Sequence, residues 1–190
     1  GWSSLVATEY FFNTMSVDDK RREKTFVLSY NGYANPANLY TYPGNITLPH
    51  FNKFIDMTDI NASGTADYAL NLPIARYSDV LLMQSEAENE ANGPSAAAVT
   101  GINEVRGRAG LTLLDPALYT QETLRDAILQ ERVWEFCEEG QAYFDLKRMD
   151  GIITRITPLG FSPTEKHYVF PIPQDEIDAN PNLVQNEPYL

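Results

Sequence analysis

The densest potential chemistry in the chain lies in Glu131 to Arg148, "ERVWEFCEEGQAYFDLKR", where five carboxylates, three cations, four aromatic rings and the only cysteine share eighteen residues. Carboxylates held in two different environments can divide the work of a general acid and a general base. A thiol beside a histidine can become a nucleophile. The spacing tests both ideas. Leu124, Ile128, Glu131 and Glu135 follow one another at intervals of 4, 3 and 4, which places two carboxylates on the continuation of an apolar helical line. Buried carboxylates are tolerated only with cations and hydrogen bonds around them. Arg106, Arg108, Arg132, Lys147 and Arg148 are available for that purpose. With so many cations both carboxylates stay ionised, which fits a structural clasp better than a proton shuttle. In that reading Glu131 and Glu135 form the buried line, Gly140 turns the chain, and Asp145, Lys147 and Arg148 return to complete the pairing.

Other reactive patterns are weaker. Cys137 has no histidine near it in sequence, since the only two are His50 and His167, and it reads as a packed thiol. There is no G-x-S-x-G elbow, no phosphate-cradling glycine loop and no Cys/His metal spacing. The stretch "DINASGTAD" puts Asp59, Asn61, Ser63, Gly64 and Asp67 at positions 1, 3, 5, 6 and 9 of an EF-hand loop, but Leu70 stands where the bidentate glutamate belongs. A surface loop is the simpler reading. No catalytic residue, metal or cofactor is expected, and the sequons at Asn45 and Asn61 are short enough to arise by chance.

A different kind of chemistry is offered by Tyr30, Tyr33, Tyr40 and Tyr42, which lie off any helical stripe among Asn31, Asn38 and several glycines and prolines. Loop aromatics can stack on the apolar faces of sugar rings while amides bond the hydroxyls. They can equally plug a loop onto its own domain. Both readings stay open at this stage. If a small ligand binds, the candidate residues are Tyr30, Asn31, Tyr33, Asn38, Tyr40 and Tyr42.

The elements that must position these groups fall into two zones. Residues 1–72 are rich in Asn, Tyr, Thr, Gly and Pro and read as turns and loops. Residues 73–190 read as a helical region continuous with the first zone. A first helix is predicted from Pro73 to about Asn92, with Val80, Met83, Ala87 and Ala91 on one stripe and Ile74, Tyr77 and Leu81 on another, so that it is buried on more than one side. Gly93-Pro94 stops it. Ser95 caps a second helix that ends at Gly110, and Ala87, Ala91, Ala97 and Ala98 let the two approach closely as a tetratricopeptide-like hairpin. Thr120 caps a third helix running to Gly140, and a fourth ends near Gly151. The proline-spaced end forms an extended tail, with one helical turn at Gln174 to Ala179. The expected fold is mainly α, with long irregular loops.

Composition narrows the function further. With 190 residues and 43% hydrophobic content the chain can bury a core. Fourteen Lys plus Arg against 26 Asp plus Glu leave a net charge of −12, which repels phosphate backbones, so nucleic acid is not an expected partner. No apolar run is long enough to span a membrane, and the first residues show no export signal.

Four blocks together resemble one family. "PIARYSDVLLMQSEAENEANG", "INEVRGRAGL", "ILQERVWEFCEEGQAYFDLKRMD" and "YVFPIPQDEIDANPNLVQNEPY" are similar, in order and spacing, to segments of the SusD/RagB family of Bacteroidetes outer-membrane nutrient-binding lipoproteins. "DKR" at Asp19 to Arg21 and "TFVLSY" resemble a weaker part of the pattern. Departures include Gly101 and Gly107 inside a helix, Gln141 where the family often has His or a basic neighbour, and Glu187-Pro188 in place of Pro-Gly. The family's chains are longer, so this one looks like a C-terminal portion, and Cys137 is not a lipid-bearing residue. The resemblance implies a non-enzymatic protein on the outward face of the outer membrane, held by a lipid anchor outside this chain. Its partners would be a glycan and a TonB-dependent transporter. The tyrosines and asparagines match no family motif and rest on their chemistry alone. A helical-repeat scaffold binding protein, or capture of peptide in place of glycan, are the competing readings.

Overall fold

The long helices begin and end where local side chains and backbone satisfy their free groups. In the computed structural model, which describes residues 6–32, 35, 37–54, 71 and 73–189, the chain is mainly α. The short elements come first: α1 (Glu9–Thr14), α2 (Arg22–Thr25), then strands β1 (Phe26–Val27), β2 (Ser29–Asn31), β3 (Leu39–Thr41) and β4 (His50–Phe51). Three long helices follow, α3 (Tyr77–Asn92), α4 (Ala96–Ala109) and α5 (Gln121–Glu135), and then the shorter α6 (Ala142–Arg148), α7 (Ile152–Ile156) and α8 (Gln174–Ala179). The chain groups into two compact units, Gly1–Gln141 and Ala142–Leu190. The compositional boundary at residues 72/73 falls inside the first of them.

Ser95 caps α4 through a bond from the Ala98 N–H (3.1 Å), and Gly110 closes it in the left-handed conformation at φ 80°. Thr120 and Thr123 form a reciprocal capping box at the start of α5. Two predicted boundaries are corrected. Helix α3 starts at Tyr77, not Pro73, because Arg76 is extended (φ −130°, ψ 161°). Helix α5 stops at Glu135, five residues before Gly140, and the chain then turns through Glu138 (φ 65°) and Gly140 (φ 77°).

The face that α3 buries is also not the predicted one. Ser78, Leu82, Ser85 and Asn89 are buried, whereas Tyr77, Val80 and Met83 are 67%, 53% and 47% exposed. Polar bonds make this inward face viable: Ser85 Oγ accepts from the Ile102 N–H (2.8 Å), and the Asn89 amide donates to the Gln121 carbonyl (2.9 Å). Of the alanines expected between α3 and α4, Ala98 is buried, while Ala87, Ala91 and Ala97 face water. The close approach is made instead at Gly101. A methyl group there would lie 2.0 Å from the Leu81 carbonyl oxygen.

The first unit has two apolar clusters. One joins Leu82 of α3, Ala98, Val99, Ile102 and Val105 of α4, and Leu124 and Ile128 of α5, with Phe136 just beyond it. The other joins Ala7, Phe12, Met15 and Phe26, with Phe11, Tyr42, Phe51 and Trp134 packed around them. Helix α5 serves both, through Leu124 and Ile128 on one side and Trp134 on the other. Strands β1 and β4 pair antiparallel with Phe26 opposite Phe51, and β2 and β3 pair with Tyr30 opposite Tyr40. In the second unit the tail is tied by side chains: the Gln185 amide bonds both the N–H and the carbonyl of Ile172, and the Tyr189 hydroxyl donates to the Lys166 carbonyl. The turn predicted at Gln174 to Ala179 is α8.

The two helical glycines therefore differ in kind. Gly101→Ala is expected to destabilise the fold by about 1–3 kcal/mol through overpacking, although alanine is the better helix former. Gly107, exposed and with only Leu113 Cδ2 at 3.8 Å from an added methyl, should gain up to about 1 kcal/mol on the same change. Urea denaturation of the two variants checks the opposite signs.

Candidate functional site

Glu131 and Glu135 stand one turn apart on α5, and Glu139 follows on the turn beyond it. All three carboxylates are almost wholly withdrawn from water, at 0%, 2% and 1% side-chain exposure. Cations from four separate segments reach them. Arg21, just before α2, is oriented by Asp19, whose carboxylate accepts from the Arg21 backbone N–H (2.9 Å) and from Nη2 (2.7 Å). Its Nη1 then lies 2.7 Å from Glu131 Oε1, off the hydrogen-bond axis, and donates to Glu135 Oε2 at 3.0 Å. Arg76, just before α3, donates from Nε and Nη2 to the two oxygens of Glu139 (2.9 and 2.8 Å) and from Nη1 to Glu135 Oε1 (2.9 Å). This bidentate geometry is the stronger form of the guanidinium–carboxylate bond. Arg106 and Arg108 of α4 donate to Glu131 (2.9 Å) and Glu135 (2.6 Å). The Lys53 ammonium pairs with Glu139 and donates to the Glu135 carbonyl (2.7 Å), satisfying a free acceptor at the end of α5.

This arrangement holds charge in place. Burial opposes the charge on Glu135, but hydrogen bonds from Arg76 and Arg21 and the charge of Arg108 outweigh it and keep the carboxyl below the usual glutamate range. A carboxyl so held does not exchange protons near neutral pH. Burial and the neighbouring Glu138 push the Cys137 thiol up to about 12, which removes the thiolate that a nucleophile requires.

The predicted clasp is present with a partly different set of partners. Arg106 and Arg108 join it as expected. Arg132 donates to Asp79 (2.8 Å) and lies over the Phe136 ring, 4.9 Å from its centroid. Asp145 and Arg148 pair with each other at 2.9 Å inside the second unit. Arg21, Arg76, Lys53 and Asp19 were not foreseen as members, because they lie 59 to 114 residues from the carboxylates they serve or, for Asp19, act through Arg21. Only the Asp19–Arg21 adjacency was a readable signal.

The tyrosine set is divided by the fold. Tyr30 and Tyr40, opposite each other on β2 and β3, stack with centroids 5.3 Å apart and planes at 16°. His50 lies 5.5 Å from Tyr30. Asn31 and Asn38 are exposed on the same hairpin. The Asn38 carbonyl accepts from the Gly32 N–H (2.8 Å), and a methyl at Gly32 would meet the Asn35 carbonyl oxygen at 2.9 Å. Tyr42 turns away, packing edge-on against Phe12 at 5.4 Å in the aromatic cluster. It acts as a plug. Asn45, singled out only as a sequon, clamps the hairpin by accepting from the Thr41 N–H and donating to the Leu39 carbonyl, both at 2.7 Å. Tyr33 and the Asp59 to Asp67 loop lie outside the described residues. Among the described residues no cluster of His, Cys, Asp or Glu is arranged to hold a metal, and no helix is long and apolar enough to cross a membrane.

Comparison with known proteins gives a consistent set of similarities. The SusD family model matches residues 7–157. SusD-like protein P2 of Formosa agariphila is 28% identical over 204 residues, a match that covers 99% of this chain and 40% of that protein. Among solved structures, surface glycan-binding protein A from Bacteroides uniformis superposes with a TM-score of 0.71 at 31% identity, over 94% of this chain and 40% of that one. A laminarin-binding SusD-like protein gives 0.70 at 28% identity, over 98% and 39%. The chain thus spans about two-fifths of the length of these relatives.

A pH experiment tests the clasp. A carboxyl held below its unfolded value contributes stability in full above the ordinary glutamate value of about 4.3 and loses that contribution as pH falls through the folded value. Glu135→Gln should lower stability at neutral pH by about 3 kcal/mol, since cations would be left buried without their partner. The gap between parent and variant in urea midpoint should then close as pH falls below about 4. Burial raises Glu138 above its usual range, with the opposite sign of effect, but it is common to both proteins and cancels in the difference.

Proposed function

The chain belongs to the SusD family, and from that premise we propose that the whole protein is a cell-surface carbohydrate-binding protein without catalytic activity. It captures glycan outside the cell and delivers it to a TonB-dependent transporter in the outer membrane, to which it is held by a lipid anchor outside this chain. The observation that carries the reading within this chain is the stacked Tyr30–Tyr40 pair on an exposed hairpin beside Asn31 and Asn38. Two flat rings with neighbouring amides suit the alternating apolar and hydroxyl faces of a sugar. The reading is further supported by the two structural relatives, one a surface glycan-binding protein and one that binds laminarin. The ion-paired carboxylates and the protonated thiol supply no acid, base or nucleophile to an enzyme reading.

One observation favours a second reading. The exposed apolar line Tyr77, Val80 and Met83 on α3 suits a helical-repeat scaffold that binds protein and no small ligand.

Titration with a broad glycan panel, followed by tyrosine fluorescence, separates the two. At least one glycan should bind, and Tyr30→Ala or Tyr40→Ala should weaken it about tenfold, equivalent to 1.4 kcal/mol, while the fold stays intact by circular dichroism. Silence across the panel with transporter binding retained would favour the scaffold.

A further inference from the structure

A groove of about 650 Å³ opens on the first unit, away from the tyrosine hairpin's stacked pair, and is lined by Asn13, Thr14, Asp18, Arg106, Thr112 and Trp134. Its volume falls within the range of ligand sites, about 300–1,000 Å³. Three elements converge on it: the end of α1 with the residues after it, the end of α4, and the middle of the last turn of α5.

Two of its side chains are fixed before any ligand arrives. Trp134 is held by the aromatic cluster and by a bond from Nε1 to Thr14 Oγ1 (3.1 Å), and that hydroxyl in turn donates to the Phe11 carbonyl (2.7 Å). Arg106 is held by a bond from Nε to the Thr112 carbonyl (2.9 Å) and another from Nη1 to Glu131 (2.9 Å). Among the described residues its Nη2 has no partner. On the rim, the Asn13 amide and the Asp18 carboxylate are exposed and without side-chain partners among the described residues. A rigid indole beside an amide, a carboxylate and a guanidinium offers both an apolar wall and polar groups for hydroxyls. Prepositioned groups of this kind lower the ordering cost of binding.

The charge balance selects among sugars. Arg106 is paired with Glu131, which it shares with Arg21, and Asp18 brings an exposed carboxylate to the rim. That charge repels uronate and sulfate groups and accepts hydrogen bonds from neutral hydroxyls. We infer that this groove is a second carbohydrate subsite, taking a neutral glycan. The inference rests on the carbohydrate-binding reading above and adds a site and a substrate class to it.

The test uses the full chain carrying Trp2→Phe, so that tryptophan emission reports Trp134 alone, titrated with neutral glucan, mannan and galactan oligosaccharides and with carboxymethylated counterparts. The expected result is a saturable change in Trp134 emission with a neutral member, weakened about tenfold by Asn13→Ala with Asp18→Ala, as loss of two hydrogen-bonding groups implies. It should survive Tyr30→Ala with Tyr40→Ala, and the carboxymethylated counterpart should bind more weakly. If the hairpin tyrosines respond and saturate while Trp134 emission stays constant, the groove is not a subsite although the carbohydrate reading stands. Persistence of the Trp134 response in the Asn13/Asp18 variant, or equal binding of the anionic counterpart, also overturns it. Failure of both signals across the panel removes the carbohydrate reading for this chain and the subsite with it.

Discussion

Three carboxylates withdrawn from water on and just beyond α5 set the constraint that the first unit must meet. An ionised carboxylate in that position carries a desolvation penalty that a single partner rarely offsets, and a half-satisfied one is worse than an apolar residue. Glu131, Glu135 and Glu139 meet it collectively, with Arg21, Arg76, Arg106, Arg108 and Lys53 converging on them. Because the bonds are directional, they specify more than stability. Each cation arrives on a different segment, so the segments preceding α2, following β4 and preceding α3 are all referred to one helix. Arg76 illustrates the coupling: its extended backbone delays the start of α3 and frees its side chain to grip both Glu135 and Glu139.

That frame explains where recognition can and cannot occur. The groups with the greatest nominal reactivity are consumed in holding the unit together, while Asn13 and Asp18 stand exposed at its margin. Phe12 of α1 receives Tyr42 on one side, anchoring the base of the hairpin that presents Tyr30 and Tyr40. Asn13 and Thr14, the next residues, border the groove with Trp134. Arg106 belongs to both arrangements, bonded to Glu131 at one nitrogen and facing the groove at another. The buried charges thus hold the elements that carry both proposed surfaces.

Local features of the fold were legible where a residue acts on its own backbone. Ser95, Gly110, Thr120 and the Gln174 to Ala179 turn were all readable, because capping and left-handed closure involve neighbours within four residues. The buried line of α5 was readable from its period. What could not be read was which cations would arrive from far away, and which face of α3 would turn inward. An apolar count favoured Val80 and Met83, but the contact with α4 is set by the backbone approach at Gly101 and by the Ser85 and Asn89 bonds. Similarly, Gly101 looked like a weak helix former when seen along its own helix, and proves to be a packing residue when seen across to Leu81. The tyrosine set divided for the same reason: spacing does not distinguish a ring paired across a hairpin from one two residues on that turns into an aromatic cluster.

The central claim is that the buried carboxylates are structural and make no contact with ligand. A double-mutant cycle on Arg76→Met and Glu139→Gln, a bidentate pair set apart from the groove lining, read by urea denaturation with glycan binding measured on the folded fraction, addresses it most directly. The account predicts that the two residues couple by about 2–3 kcal/mol, within the range of contacting charged pairs, and that the affinity of the folded protein for glycan is unchanged. Coupling near zero, or folded variants that have lost their glycan affinity, would contradict it.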